Sequence, residues 1–226
     1  MKKAFTLAET LITLSIIGVV VALTLPTLIQ NYQKHVTVTK LQKAYSSLGQ
    51  VAQKAFSDNG DSGFVVGEEI EASAVEKYFN TYWFPYFKGV SISPDNETIK
   101  LSDGKNQYKY KNGELEGISV YTYYKYGRIF FTTSDGLSYF ITFCAWVNDK
   151  PTYRENFVVY IDVNGTKQPN TFGKDVFKFS LDSKSRIVRP LLVGHSDESI
   201  SNNCEKYGEY CSTRIMRDGW QIKYKW

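Results

Sequence analysis

Apolar and polar positions divide this chain into three stretches. From Phe5 to Ile29 every position is apolar, small or hydroxyl-bearing except Glu9 and Pro26. That run reaches the roughly 20 residues a bilayer core requires. Beyond Asn31-Tyr32-Gln33-Lys34, apolar residues recur at Leu41, Ala44, Tyr45, Leu48, Val51, Ala52, Ala55 and Phe56. This is helical spacing with one apolar face, and Ser57-Asp58-Asn59-Gly60 supplies a stop. The pattern predicts one helix over 5–57. From Phe5 to Phe56 it would run about 78 Å at about 1.5 Å per residue. The third stretch opens with a short helix over Glu71–Pro85. Its period then changes from helical to alternating, which predicts strands at 98–102, around a turn at Asn112-Gly113, on both sides of Ser134-Asp135-Gly136, and at 157–162, 175–181 and 220–226. One long helix followed by a mainly antiparallel sheet is an α+β layout, with a globular head over 58–226.

Charge gives the first stretch a direction. Lys2 and Lys3 precede the apolar run, and the next charge after Glu9 is Lys34. The positive-inside rule places the N-terminus in the cytoplasm and the residues after about Ile29 outside. A cleaved signal peptide would have a shorter apolar region and a small-residue site, which "TLPTLIQNY" does not supply. A plain uncleaved anchor is the other simple account. Both leave Glu9 unexplained, since an acid at mid-bilayer costs about 3 kcal/mol, less near the end of the span. Pro26 removes one backbone hydrogen bond and is expected to bend or loosen the helix. A formal net charge of +4 with no long Lys/Arg run marks no nucleic-acid surface. The 17 tyrosines suit the strand-rich third stretch.

Ala4, Phe5, Thr6, Leu7 and Glu9, followed by the apolar run and Pro26, resemble the N-terminal segment of type IV pilins and type II secretion pseudopilins. The resemblance covers about the first 35 residues. It implies a leader over 1–4, removed by a prepilin peptidase between Ala4 and Phe5, and methylation of the new amine on Phe5. The residue before the cut is usually Gly in that family and is Ala4 here. The resemblance further implies a single-pass helix over 5–29 in the inner membrane, a pilin-like head outside it, and polymerisation into a pilus or pseudopilus. Its partners would be copies of itself, other pilins or pseudopilins, the peptidase and an inner-membrane assembly platform. No specific nucleic acid is expected among them. Glu9 would then meet the amine of a neighbouring subunit. Such a pair neutralises two charges that hydrocarbon disfavours and sets the register of one helix against the next. The alternative is a membrane-anchored ectodomain that binds a ligand or carries an enzyme without polymerising.

Within the head, the loop Asp162–Asp175 gathers Asp162, Asn164, Asn170 and Asp175 among Gly and Pro. These residues suit turn building. Asp162, Asn164 and Asp175 also suit a hard cation such as Ca²⁺, although the spacing is not an EF-hand. The resemblance bears on this, because some secretion pseudopilins carry a calcium loop in the head. No other cofactor is expected. Cys204 and Cys211 close a short loop around Gly208. In an extracytoplasmic head they are expected to form a disulfide contributing about 2.5 kcal/mol. Cys144 lies in an apolar strand pattern and reads as a buried thiol. A zinc site joining the cysteines to His195 matches no standard spacing. His195, Ser196 and Asp197 are adjacent in sequence, which is not the geometry of a triad. No nucleophile-elbow, zincin or phosphate-loop motif occurs, so the chain reads as a structural protein rather than an enzyme.

Overall fold

The computed structural model describes residues 6–63, 72–91, 108–114, 128–147, 150–165, 167–182, 184–191 and 194–226. The expected strand at 98–102 and the second arm of the Asn112-Gly113 hairpin lie outside the described residues, as do Ala4 and Phe5. The chain divides into two compact units, Met1–Val36 and Thr37–Trp226.

The first unit is helical from Leu7 onward, and helix α1 is assigned from Leu7 to Asn59. Its residues from Leu7 to Ile29 are exposed throughout. The helical assignment passes through Pro26 without a break. α1 is long and apolar enough near its start to cross a membrane. The side-chain hydroxyls in this stretch do not compete with that apolar character. Thr10, Thr13, Ser15 and Thr24 donate to the carbonyls of Leu7, Thr10, Leu11 and Val20 at 2.8–2.9 Å. Each hydroxyl is thereby satisfied by its own helix.

The second unit is built on a six-stranded meander, β1 (Val90–Ser91), β2 (Arg128–Thr133), β3 (Ser138–Val147), β4 (Lys150–Asp162), β5 (Val176–Asp182) and β6 (Val188–Pro190), adjacent in chain order. Every ladder is antiparallel. Alternation along the strands makes two faces. Ile129, Phe131, Tyr139, Ile141, Phe157, Val159, Ile161, Phe177, Phe179 and Leu181 form one. Leu41, Ala44, Leu48, Val51 and Ala52 of α1 are buried in the same core. Tyr45 fastens the helix to the sheet: its ring lies 5.4 Å from that of Phe179 and its hydroxyl donates to Val188 O at 2.9 Å. The long N-terminal helix therefore packs on an antiparallel sheet, the expected α+β arrangement. Phe79 of helix α2 (Ala72–Tyr82) and Trp83 just after it pack on Phe131 of β2 and Phe157 of β4.

The opposite face carries a second cluster of Phe130, Phe140, Val158, Tyr160 and Val176, joined by Tyr108 and Phe172. Lys178 is in the same strand alternation yet is only 5% exposed. Its ammonium lies 4.4 Å from the Phe172 ring centre, 5.1 Å from Tyr160 and 5.4 Å from Tyr110, and pairs with Glu209. Ring faces and one carboxylate replace the water that a buried cation loses.

One expectation for the C-terminal part is corrected. Residues 220–226 form no strand. Ile222 and Tyr224 alternate into the core as a strand would. The segment nevertheless attaches by side chains, Tyr224 Oη to Gly173 O at 2.7 Å and Trp226 Nε1 to Lys174 O at 3.3 Å. Before it stand two helices that the pattern analysis did not predict, α3 (Asp197–Lys206) and α4 (Cys211–Arg217). The signal for α3 is in the sequence. Ser196 caps it by accepting from Ser199 N, acids occupy its first turn and Lys206 its last.

Leu48→Ala is expected to cost about 2–5 kcal/mol, the usual loss for a buried leucine. Gln42→Ala, on the exposed face of α1, should stay within about 0.5 kcal/mol of the parent. Urea unfolding followed by tryptophan fluorescence measures both.

Candidate functional site

At the start of α1, Thr6 and Glu9 form a reciprocal pair. Thr6 N and Thr6 Oγ1 each donate to Glu9 Oε2 at 2.8 Å, and Glu9 N donates to Thr6 Oγ1 at 3.3 Å. This is a capping box, the T-x-x-E pattern that satisfies main-chain donors at a helix start. The spacing is visible in the sequence but escapes a reading that looks only for a charged partner. It leaves Glu9 with one oxygen held locally, at the head of a helix whose other residues as far as Ile29 carry no charge.

The loop between β4 and β5 brings together the residues singled out above. Asp162, Asp175 and Asn170 are 1%, 4% and 2% exposed. Asp162 accepts from Asn164 N at 3.1 Å and from Gly165 N. Asp175 accepts from Asn170 N (2.8 Å), Thr171 N (2.6 Å) and Asn164 Nδ2 (3.0 Å). Burial pushes the Asp162 carboxyl well above the usual range, and the charge of Asp175 adds to the effect. Burial also raises Asp175, against the N–H donors that favour its charged form. Asp175 thus organises the turn, while among the described residues Asn164 and Asn170 keep buried side-chain oxygens without a hydrogen-bond partner.

The same loop is clamped on its far side. Cys204 and Cys211 are joined by a disulfide, with Cα atoms 4.7 Å apart, between the end of α3 and the start of α4. Gly173 and Gly208 allow the two segments to touch. A Cβ on Gly173 would stand 2.7 Å from Cys211 Sγ, and one on Gly208 only 2.1 Å from Phe172 O. Both glycines have positive φ, 76° and 85°. Lys109 extends the assembly, donating through N to Asn170 O and accepting through O from Phe172 N, both at 2.9 Å.

The remaining candidates separate. Ser196 is the cap of α3, Asp197 pairs with Arg217, and His195 accepts through its carbonyl from Arg217 Nη2 at 3.0 Å. These three residues shape a helix start. Because Cys204 and Cys211 bond each other, they leave no thiolate for zinc. Cys144 is in β3, opposite Tyr153 in the ladder. A groove of about 790 Å³ beside α1 is lined by Lys43, Lys54, Lys88, Tyr86 and Asp135, among others. Two of its lysines are paired within the head, Lys43 with Asp135 at 2.8 Å and Lys54 with Asp58 at 3.1 Å.

Residues 27–226 match the model of a family described as a family of unknown function, DUF6613, and the chain belongs to that family. No curated protein and no solved structure matches the chain. The matched region begins at Thr27, just after Pro26 and inside the first 35 or so residues that resemble pilins.

Gly208→Ala is expected to destabilise the head by more than the roughly 1–2 kcal/mol that a left-handed conformation costs a residue with a Cβ, because the methyl also meets Phe172 O. Gly194→Ala, with open space around it, is the control. Chemical denaturation of the two variants should separate them clearly.

Proposed function

We propose that this chain is a prepilin-like structural subunit. A prepilin peptidase removes residues 1–4 and methylates the amine of Phe5. The helix over 5–29 holds the subunit in the cytoplasmic membrane with its head outside. Assembly through an inner-membrane platform joins it to copies of itself and to other pilins or pseudopilins in a pilus or pseudopilus. The observation that carries this reading is the surface of α1. From Leu7 to Ile29 its side chains are exposed, they are apolar or hydroxyl-bearing, and a single carboxylate stands in the first turn. Such a helix suits lipid first and other helices of its kind afterwards.

Glu9 gives the association a direction. In hydrocarbon an unpaired carboxylate is unfavourable, and so is an unpaired terminal amine. Bringing Glu9 of one subunit to the amine of the next removes both penalties at a single axial offset. The capping box is compatible with this role. It engages Oε2 through Thr6 and fixes the side chain against its own helix, and a carboxylate has a second oxygen for a neighbour.

The competing reading, an anchored ectodomain that does not polymerise, predicts a different protein mass. Expressed with its prepilin peptidase, the chain should lose Met1–Ala4 and gain one methyl group by intact-mass spectrometry. A full-length, unmethylated chain would overturn the proposal. Glu9→Ala should still fractionate with the membrane, since the substitution makes the span more apolar, yet lose the crosslinked ladders formed by the parent. Breaking one partner of a buried ion pair costs about 3–5 kcal/mol at each contact, and a polymer repeats that contact throughout. Equal ladders from both proteins would remove Glu9 from the assembly contact.

A further inference from the structure

Lysines gather at one end of the head. The turn at Ser134-Asp135-Gly136 and the loop between β4 and β5 lie at the same end of the sheet, where Ser138 pairs with Asp162 and Asp162 with Val176. The start of α1 within the head lies at that end too. Lys40 donates from Nζ to Val163 O at 3.1 Å, and Lys43 pairs with Asp135 at 2.8 Å. Further along the helix Gln53 bonds to Arg186, in the turn between β5 and β6 at the opposite end.

The β4–β5 loop and the segments seated on it supply the other cations. Lys109 is bonded through its main chain to Asn170 and Phe172. Lys111 lays its stem over Gly173, where a Cβ would stand 3.1 Å from Lys111 Cε, and its Nζ donates to Lys225 O at 3.0 Å. Trp226 Nε1 donates to Lys174 O at 3.3 Å. Lys167 is exposed in the same loop. These contacts draw Lys109, Lys111, Lys167, Lys174 and Lys225 to one surface. Among the described residues, Lys109, Lys167, Lys174 and Lys225 pair with no acid. The carboxylates beside them are withdrawn or engaged. Asp162 and Asp175 are buried, Lys43 holds Asp135, and Glu114 balances Lys206.

Scattered surface lysines are ordinary solubilising charges. Here they are concentrated where the chain enters the head. Thr37, the first residue of that unit, comes eight residues after Ile29, the last of the apolar run. At no more than about 3.5 Å per residue, the chain itself tethers this end of the head to the end of the run.

We propose that this lysine surface docks on the anionic phospholipid headgroups of the membrane that the apolar helix spans. The inference rests on the reading of that helix as a membrane span. Each lysine near an anionic bilayer strengthens binding roughly fivefold. The attraction fades within a Debye length, about 8 Å at physiological salt. A short tether keeps the effective concentration of the surface high, so a modest cluster is enough. Trp226, half-buried beside Lys174, suits the headgroup layer, where an indole finds polar and apolar surroundings together. The same lysines would attract any polyanion, but the bilayer is the one that the chain holds beside them. Leaving the membrane for a filament then includes releasing these contacts.

The test reconstitutes the full chain into vesicles of phosphatidylcholine alone and of phosphatidylcholine with phosphatidylglycerol. Flotation and carbonate extraction check insertion. Lysines are acetylated with a membrane-impermeant reagent and mapped by mass spectrometry. Lys109, Lys174 and Lys225 should react at least about fivefold more slowly in the phosphatidylglycerol vesicles. They should lose that protection in about 1 M salt, where the Debye length falls to about 3 Å. Lys184, exposed between β5 and β6 at the opposite end, should react equally in both. The variant Lys174→Gln/Lys225→Gln should melt with the parent, since neither amine is bonded among the described residues. Its Lys109 should lose most of the protection, which repulsion of the reagent by the lipid would not explain. Equal reactivity of the inserted parent in the two vesicles would overturn the docking surface and leave the subunit reading standing. A chain that fails to insert would overturn the membrane reading itself. Equal protection by inorganic phosphate or duplex DNA, added to phosphatidylcholine vesicles, would also overturn the proposal by showing a general anion site.

Discussion

The burial of one face of α1 against the sheet is the contact on which the head depends. Leu41, Ala44, Leu48, Val51, Ala52 and Ala55 are spaced so that each turn of helix returns an apolar side chain to the same side. Three of the six are alanine, which lets the helix backbone come close to the strands. Large rings then fill the layer from the sheet side, with Phe131 stacked on Tyr139 at 5.2 Å and Phe87 edge-on to Phe131 at 4.7 Å. Small residues on the helix and large ones on the strands are complementary, and neither pattern alone would make a close-packed core.

The second face of the sheet answers a different requirement. It carries aromatic residues and one cation, Lys178, in positions that a solvent-facing side would give to polar groups. The Asp162–Asp175 loop bends back over this face, placing Phe172 against Tyr160, Tyr108 and Tyr110. α3 and α4 follow, and Glu209 between them reaches Lys178. The loop, the disulfide and the C-terminal residues therefore act as one cap. Its chemistry is an excess of buried oxygen at one end and a buried ammonium among rings at the other.

The apolar helix at the N-terminus is governed by the opposite principle. Its side chains as far as Ile29 are exposed, and the hydroxyls of Thr10, Thr13, Ser15 and Thr24 are absorbed by its own carbonyls. Its first turn carries the Thr6–Glu9 box. A carboxylate that caps its own helix has one oxygen committed and its direction set. Pre-organisation of this kind lowers the cost of any contact the remaining oxygen makes.

Local periodicity determined much of this protein by itself. The apolar run, the helical face from Leu41 to Ala55, the strands flanking Ser134-Asp135-Gly136 and the pairing of Cys204 with Cys211 all depend on residues close together in the chain. The Thr6–Glu9 box and the Ser196 cap were equally local and legible from spacing. The tertiary structure alone decided the rest. Residues 220–226 alternate like a strand, yet Tyr224 and Trp226 find carbonyls of a distant loop in place of a ladder. Lys178 reads as an exposed strand position until Phe172, Tyr110 and Glu209 arrive from elsewhere and bury it. Asp162, Asn164, Asn170 and Asp175 read equally well as turn residues until folding shows which of their oxygens are left without donors. Period tells a side chain which way to face; what it meets there depends on where the rest of the chain returns.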